Sequence, residues 1–525
     1  MPSSFNLLTH NWLPVLFAGE PQPRDVAIRE ALARAPDIRK LVSASPLETI
    51  ALHRLLLAIV HRVFPTPTEE DWLALWDAGH FDTAALDAYY EIWGPRFDLF
   101  DAEHPFFQAP ALPAEYATTV AKLGHEFSSG NNPLLFDHSQ DAAPEGLAPA
   151  TAARLLVAQQ SFAVGGLITR LPGQPPSAES SHLLKAAVVL CTGTNLFRTL
   201  VLNMVRVAGD EQQPFPFDPG KDAAAWEQDP PSAATRAPRG YLDLLTWQPR
   251  SVRLIPPGPD GLVTQAVIMN GYRFPAHIRP ADHETMTAYT KREKAAANQD
   301  PEPPVGFRPE KALWRDSVAL LQQGQDNRVP RTLRHLGDLR SNGYIDSSAV
   351  VGVAAFGLSS DRAKLFLSRN EEFPLPLAYL NDESLLGHLK DGIEAAENAE
   401  WQLRLATRRM AERALAPDGN ADPARVRALV ESLAPGRAYW PALDVPFRRF
   451  MHDLAGEYDE AHDFGEPARL AWRDAIQRSA NEAFDLAARA MQTSGRGYRA
   501  AAEAEGAFRG GLYRALQELQ PEVTT

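Results

Sequence analysis

The side chains best suited to chemistry in this chain are two His-Asp pairs, His452-Asp453 and His462-Asp463, within HDLAGEYDEAHDF. Pairs of this kind ligate metals in phosphohydrolases, so a metal-dependent phosphohydrolase is one reading of 452–463. His104, between Glu103 and Pro105, is a second candidate, a general base, but no partner motif stands near it. No GxxxxGK[ST] loop, strand-following GxGxxG, HExxH or GxSxG occurs. A different chemistry is offered by SFAVGGLITRLPGQPP, 161–176. Gly165 and Gly166 leave two successive residues without Cβ, which permits positive φ and close approach of another molecule to the main chain. Arg170 follows, and four Pro or Gly residues at 172–176 forbid a regular element. Such a segment is either a connecting loop or a backbone probe for a groove or a phosphate.

The elements that must position these residues are legible in outline. At 525 residues the chain forms two or more domains and buries a sizeable core. Hydrophobic content of 45% and charged content of 22% are those of a globular protein. A net charge of −14 excludes a protein that coats nucleic acid with its whole surface, though not a local basic patch. Cys191 is the one cysteine, so an internal disulfide and a Cys-based zinc site are both excluded, in keeping with a reduced cytoplasmic setting. The apolar stretch 46–64 contains His53, Arg54, His61 and Arg62 and reads as a core helix, not a membrane span. The N-terminus lacks the pattern of a signal peptide.

Along the chain, 5–18 predicts one or two strands and 24–34 a short helix. Ser45-Pro-Leu-Glu opens the helix that runs to about Phe64, and 68–91 predicts two more. FDLFDAEHPFFQ, 97–108, predicts a loop pinned by aromatic burial. Residues 124–146 read as a long exposed loop, and 208–240 as a proline-rich linker. The apolar run 181–206 predicts a buried helix broken near Thr192-Gly193-Thr194. Segments 241–256 and 262–278 predict strands, and 347–357 a buried strand ending in a turn at Leu358–Arg362. From Asn381 the composition shifts to Ala, Leu, Arg and Glu. Leu386, Leu389, Ile393, Ala396, Leu403 and Met410 form one seam, Asp422-Pro423 opens another helix, and 437–456, 466–492 and 497–519 follow. In the last of these Tyr498, Ala501, Phe508, Leu512, Leu516 and Leu519 are expected on one face. The fold class expected is α+β: a mixed N-terminal domain with small sheets and helices, 1–378, then a C-terminal four-helix bundle, 379–525.

Four stretches carry a resemblance. FNLLTHNWLPV (5–15), AEHPFFQ (102–108) and GYLDLLTWQPRSVRL (240–254), with the Gly165-Gly166 loop in register, resemble the CasA family, the large subunit of the type I-E CRISPR Cascade surveillance complex. The resemblance implies a non-catalytic subunit without metal or other cofactor. Its implied partners are the other Cascade subunits, the guide RNA, target double-stranded DNA and a helicase-nuclease, with no membrane. It implies recognition of the protospacer-adjacent motif in duplex DNA and help in opening the strands, base pairing reading the rest of the sequence. By position, Gly165, Gly166 and Arg170 form the motif-binding loop, where Ala163 and Val164 stand in place of a longer glycine run. Ser360, Asp361 and Arg362 form the tip of a strand-separating hairpin, 356–369, without the family's usual glutamine. Asn270 and Arg273 lie on the motif-adjacent strand, VIMNGYRF, where relatives carry lysine. Phe127, Asn131 and Asn132 lie in the loop that meets the guide's 5′ end. A purely protein-docking scaffold is the remaining alternative.

Overall fold

A computed structural model describes residues 4–519 apart from 125–145, 207–219, 232, 297–298, 309–310, 323–326, 347, 362–363, 418 and 459–464. Within the hairpin at 350–376, side chains are described outside 360–367. The chain is an α+β protein of two units, one of 1–345 and 351–372, the other of 346–350 and 373–525.

The first unit is organised on helix Pro46–Val63. Ser45 caps it by accepting from the Leu47 N–H at 3.2 Å, with proline at the first helical position. It is buried almost all round and packs on helix Pro149–Phe162. Leu13, Val15 and Phe17 alternate inward from strand Leu13–Phe17, the centre of a three-stranded antiparallel sheet with Arg24–Val26 and Ile38–Leu41. Helices Glu69–Ala78 and Thr83–Trp93 follow as the pattern requires. Phe97, Phe106 and Phe107 are buried against one another as expected, around an aromatic the sequence placed in a linker: Trp226 packs 5.1 Å from Phe97 and 5.7 Å from Phe106.

Three expectations are corrected here. The run 181–206 is not a broken helix. It is strand Val188–Thr192 followed by helix Leu196–Leu202, because β-branched Val188 and Val189 enter a buried sheet and Asn195 caps a new helix at the Arg198 N–H. Segment 241–256 begins as helix Tyr241–Leu245 and becomes strand only at Arg250–Leu254, which pairs antiparallel with Gln265–Asn270. Leu358–Asp361 is not a turn. Strand Val350–Asp361 continues through it, central between Val188–Thr192 and Lys364–Pro376. Gly352 faces Thr192, and an added Cβ would lie 2.2 Å from Thr192 Oγ1, so a side chain there would force Thr192 to shift.

The second unit contains helices Glu383–Leu415, Gly436–Glu457, Glu466–Met491 and Gly495–Ala515, with a shorter one, Pro423–Leu433, after the first. Asp382 and Asp422 cap their helices at the Leu385 and Ala424 N–H groups. All six seam residues from Leu386 to Met410 are buried. Trp472 stacks on Phe450 at 5.4 Å and donates Nε1–H to the Gly392 carbonyl at 2.8 Å. Tyr498 departs from its expected face and is 58% exposed, while Ala501, Phe508, Leu512, Leu516 and Leu519 are buried. The inward position of that first turn belongs to Gly497, where a Cβ would lie 1.8 Å from the Met491 carbonyl. No helix among the described residues is long and apolar enough to cross a membrane.

Candidate nucleic-acid interface

The buried helix Pro149–Phe162 ends at Ala163, whose extended ψ of 129° sends the chain outward. A hairpin follows. Gly166 and Leu167 pair antiparallel with Ala178 and Ser177, and the Ile168 N–H donates to the Pro176 carbonyl at 3.3 Å. At the tip Gly173 takes φ +84°, and Gln174 accepts from the Leu171 N–H through its side chain at 3.2 Å. Arg170 is exposed and donates to the Gln174 carbonyl at 2.8 Å, so it braces the tip while facing solvent.

The two adjacent glycines do different things. A Cβ on Gly165 would lie 2.8 Å from both the N and Oγ of Ser180, and the Gly165 N–H already donates to that Oγ at 3.1 Å. Gly165 is therefore a close-packing glycine at the neck. Gly166 holds φ +137°, is exposed, and has nothing within 4 Å of an added Cβ. Beside it Leu167 is 92% exposed. The hairpin thus presents bare backbone and one apolar side chain outward.

Its neck is held by groups from the sheet beneath. Arg250 is buried, and its Nη2 donates to the carbonyls of Val164 and Glu179 at 2.8 Å each. Nη1 donates to the Pro249 carbonyl at 2.8 Å. Burial, with Arg273 nearby, lowers the pKa of this guanidinium to about 10, so it stays charged at neutral pH. Gln160 grips the Arg250 backbone from the helix side, donating to its carbonyl at 3.0 Å and accepting from its N–H at 3.3 Å. From the paired strand, Asn270 is buried and donates to the Pro175 carbonyl at 3.1 Å. Arg273 donates to the Ser177 carbonyl and, at 3.2 Å, to Asn270 Oδ1. Gly165, Gly166, Arg170, Asn270 and Arg273, separate in the sequence, therefore meet at one hairpin. Asn270 faces the hairpin and not solvent. Sequence pattern does not single out Arg250 or Gln160. The available signal was an arginine in a strand whose neighbours Val252 and Leu254 are apolar and face the core.

A cleft of about 780 Å³ opens beside the neck. Val164 and Ser180 line it, together with the cationic side chains of Lys185, Lys291, Arg292 and Arg308. None of the four has an ion-pair partner among the described residues. The acid on its wall, Asp316, is taken by Lys311 at 2.5 Å. Leu358, on strand Val350–Asp361, closes another side. The cations come from three distant segments, so no local run of charge marks them in the sequence.

The family model for CRISPR-associated protein Cse1 matches residues 6–483. The chain belongs to the CRISPR-associated Cse1 family. It is 34% identical over 542 residues to the CasA/Cse1 protein of Thermus thermophilus, covering 99% of each chain. The crystal structure of Thermus thermophilus CasA superposes with a TM-score of 0.79 at 30% identity, over 98% of this chain and 100% of that one. Cse1 from Acidimicrobium ferrooxidans gives a TM-score of 0.82 at 26% identity over 99% of each. A chain of a solved CRISPR RNA-guided surveillance complex shares the fold, with a TM-score of 0.76 at 21% identity over 97% of this chain and 100% of that one.

The other positions expected from the Cse1 resemblance are only partly described. Ser360 and Asp361 lie on the strand, and their side chains, with the whole of Arg362, fall outside the described residues. Phe127, Asn131 and Asn132 fall outside them as well, as do His462 and Asp463. Exposed His452 and half-buried Asp453 stand near the end of helix Gly436–Glu457, with Nδ1 and Oδ1 3.1 Å apart. Among the described residues no three His, Cys, Asp or Glu side chains converge as a metal site. His104 lies in a turn whose N–H is held by Asp101, and its own Nδ1 is enclosed without a hydrogen bond among the described residues.

Proposed function

We propose that this Cse1-family chain is a non-catalytic subunit of a cytoplasmic, type I-E RNA-guided surveillance complex. It recognises a short flanking motif in duplex DNA with the Gly166 hairpin, helps to part the strands with the 356–369 hairpin, and supports recruitment of a helicase-nuclease. The carrying observation is the exposed, Cβ-free backbone at Gly166 beside a cleft with four cations that are unpaired among the described residues. A minor groove about 6 Å wide admits bare backbone where a branched side chain collides, and its readout is degenerate. The cations supply phosphate contacts, which position the protein without reading sequence. In this reading Arg170 lies along the backbone beside the groove, while Asn270 and Arg273 act by fixing the hairpin's returning arm. Ser360, Asp361 and Arg362 meet the first base pairs, and Phe127, Asn131 and Asn132 meet the guide's 5′ end, where an aromatic ring stacks on any base. Guide pairing then reads the target.

The test is target binding by the assembled complex, with and without this chain, on duplexes with randomised flanking bases. Gly166→Ala and Gly166→Asp separate strain from steric block. Both force a side chain onto φ +137° and should lower stability by about 1 kcal/mol. Only aspartate adds bulk and a charge that phosphate repels. Gly166→Asp should therefore assemble, lose motif discrimination on duplex, and still bind the target supplied as a single strand. Equal loss on duplex and single strand, or no loss on either, returns 161–176 to a connecting loop.

A further inference from the structure

The glycine hairpin has only two strand pairs, Gly166 with Ala178 and Leu167 with Ser177. A ladder this short does not hold its own geometry in water. Its direction must be set from outside, and the outgoing and returning arms converge on one side chain. Arg250 Nη2 bonds Val164, two residues before Gly166, and Glu179, one residue after Ala178. Arg250 is 2% exposed, and the hydrogen bonds from its Nη1 and Nη2 go to main-chain carbonyls. A planar guanidinium with fixed donor directions suits this task, whereas a lysine ammonium is a point charge on a flexible stem.

The mount itself is rigid. The strand that carries Arg250 is bonded to Gln160 at the start and to Gln108 at its end, where Leu254 N–H donates to Gln108 Oε1 at 2.7 Å. Gln248, two residues before Arg250, donates to the Phe107 carbonyl at 2.9 Å. The AEHPFFQ and WQPRSVRL stretches thus interlock, and Arg250 projects their rigidity into the hairpin.

We propose that Arg250 is the positioning residue of motif recognition: it ties the two arms of the glycine hairpin together and so fixes how the Gly166 backbone meets DNA. This rests on the reading of the hairpin as a groove probe. Arg250 does not touch DNA. Its loss acts on motif recognition through the hairpin.

The experiment uses the assembled complex with Arg250→Lys, Arg250→Met and Gly166→Asp, each measured on motif-bearing duplex and on single-stranded target. Losing hydrogen bonds to a charged donor should weaken duplex binding by about tenfold or more in Arg250→Lys, with single-strand binding within about twofold of the parent. Arg250→Met should lose at least as much. Because a buried arginine also supports folding, amide exchange is measured in parallel. Exchange at Gly165 and Ile168 should accelerate in Arg250→Lys while the Cys191 amide, on strand Val188–Thr192, keeps its protection. If Arg250→Met does not fold, Arg250→Lys decides alone. Parental duplex binding in Arg250→Lys, equal loss on both substrates, unchanged hairpin exchange, or equal acceleration at Cys191 would each overturn the proposal. Loss in Gly166→Asp with none in Arg250→Lys removes the clamp and leaves the groove reading standing. No loss in Gly166→Asp removes both.

Discussion

His182, four residues past Ala178, joins a buried charge cluster. Arg54 and Glu284 pair in bidentate fashion at 2.9 and 3.1 Å, with side chains 2% and 1% exposed. His182 Nε2 lies 3.0 Å from Glu284 Oε2, and the N–H groups of Thr285 and Met286 donate to Oε1. Burial opposes ionisation of this carboxyl, but Arg54 and His182 outweigh it and hold it far below the usual carboxylate range. Replacing one partner leaves the other charge buried alone, so Glu284→Gln should destabilise the first unit by about 3–5 kcal/mol. Replacing both removes that penalty. Arg54→Met/Glu284→Gln, whose amide oxygen still accepts from the Thr285 and Met286 N–H groups, should therefore be closer to the parent in denaturant midpoint than Glu284→Gln is. A double variant worse than the single one would show that the pair contributes more than its desolvation takes away. Neither change touches the Gly166 backbone, so binding by the folded fraction should keep its motif preference.

Helix Pro46–Val63 shows what an element adds to its residues. Its interior carries His53 and His61, and His61 lies near His335 from helix Arg331–Ser341. Burial lowers the pKa of His53 to about 4, against the bond from its Nδ1 to the Thr49 carbonyl at 2.7 Å. Burial and the neighbouring His335 lower His61 to about 3, and burial with Arg206 lowers His335 to about 4. The folded state thus holds three neutral imidazoles that titrate near 6.5 once unfolded. Between about 6.5 and 4 the unfolded chain binds more protons, so this contribution is complete above about 6.5 and is lost as pH falls. Each histidine adds a slope of up to about 1.4 kcal/mol per pH unit in that window. The denaturant midpoint should fall between about pH 6.5 and 5, and His53→Leu should flatten the fall. An unchanged slope in that variant would mean that water reaches the site. This helix was legible in the sequence because capping, length and apolar content agreed, as was the 386–410 seam, where period 3.6 persists through about seven turns. Residues 181–206 were not, because a short apolar run fits a strand or a helix equally well until its sheet partner is known. The same limit hid the neck of the hairpin. The glycines announce permissive backbone, but nothing local says that Arg250, on a distant strand, will bind both arms.

At the scale of the whole chain the question is how a protein of net charge −14 would hold DNA in the proposed role. Many of its described arginines are already engaged. Arg279 and Arg328 share Asp282 and Glu302, and Arg236 is paired with Asp243 while lying 4.5 and 3.9 Å over Trp247 and Tyr272. Lys185, Lys291, Arg292 and Arg308 stand apart because they line one cleft whose acid, Asp316, is already held by Lys311. Each phosphate neutralised contributes about −0.9 to the slope of log K against log salt, so this subunit should add about two to four to the slope of the assembled complex. At physiological salt the Debye length is about 8 Å, so the acidic remainder of the surface is screened at the site and acts mainly on approach. Lys291→Gln/Arg292→Gln should reduce the slope by about two and weaken all duplexes alike, because phosphate contacts carry no sequence preference. Gly166→Asp should do the opposite, erasing preference while leaving most of the slope. Measuring both variants over a salt series on duplexes with and without the motif separates the two contributions. A contribution of about ten from this chain, or no change on removing Lys291 and Arg292, would place the phosphate contacts elsewhere. A change of motif preference in the double variant would mean that the cleft reads bases, and the division of labour between cleft and hairpin would fail.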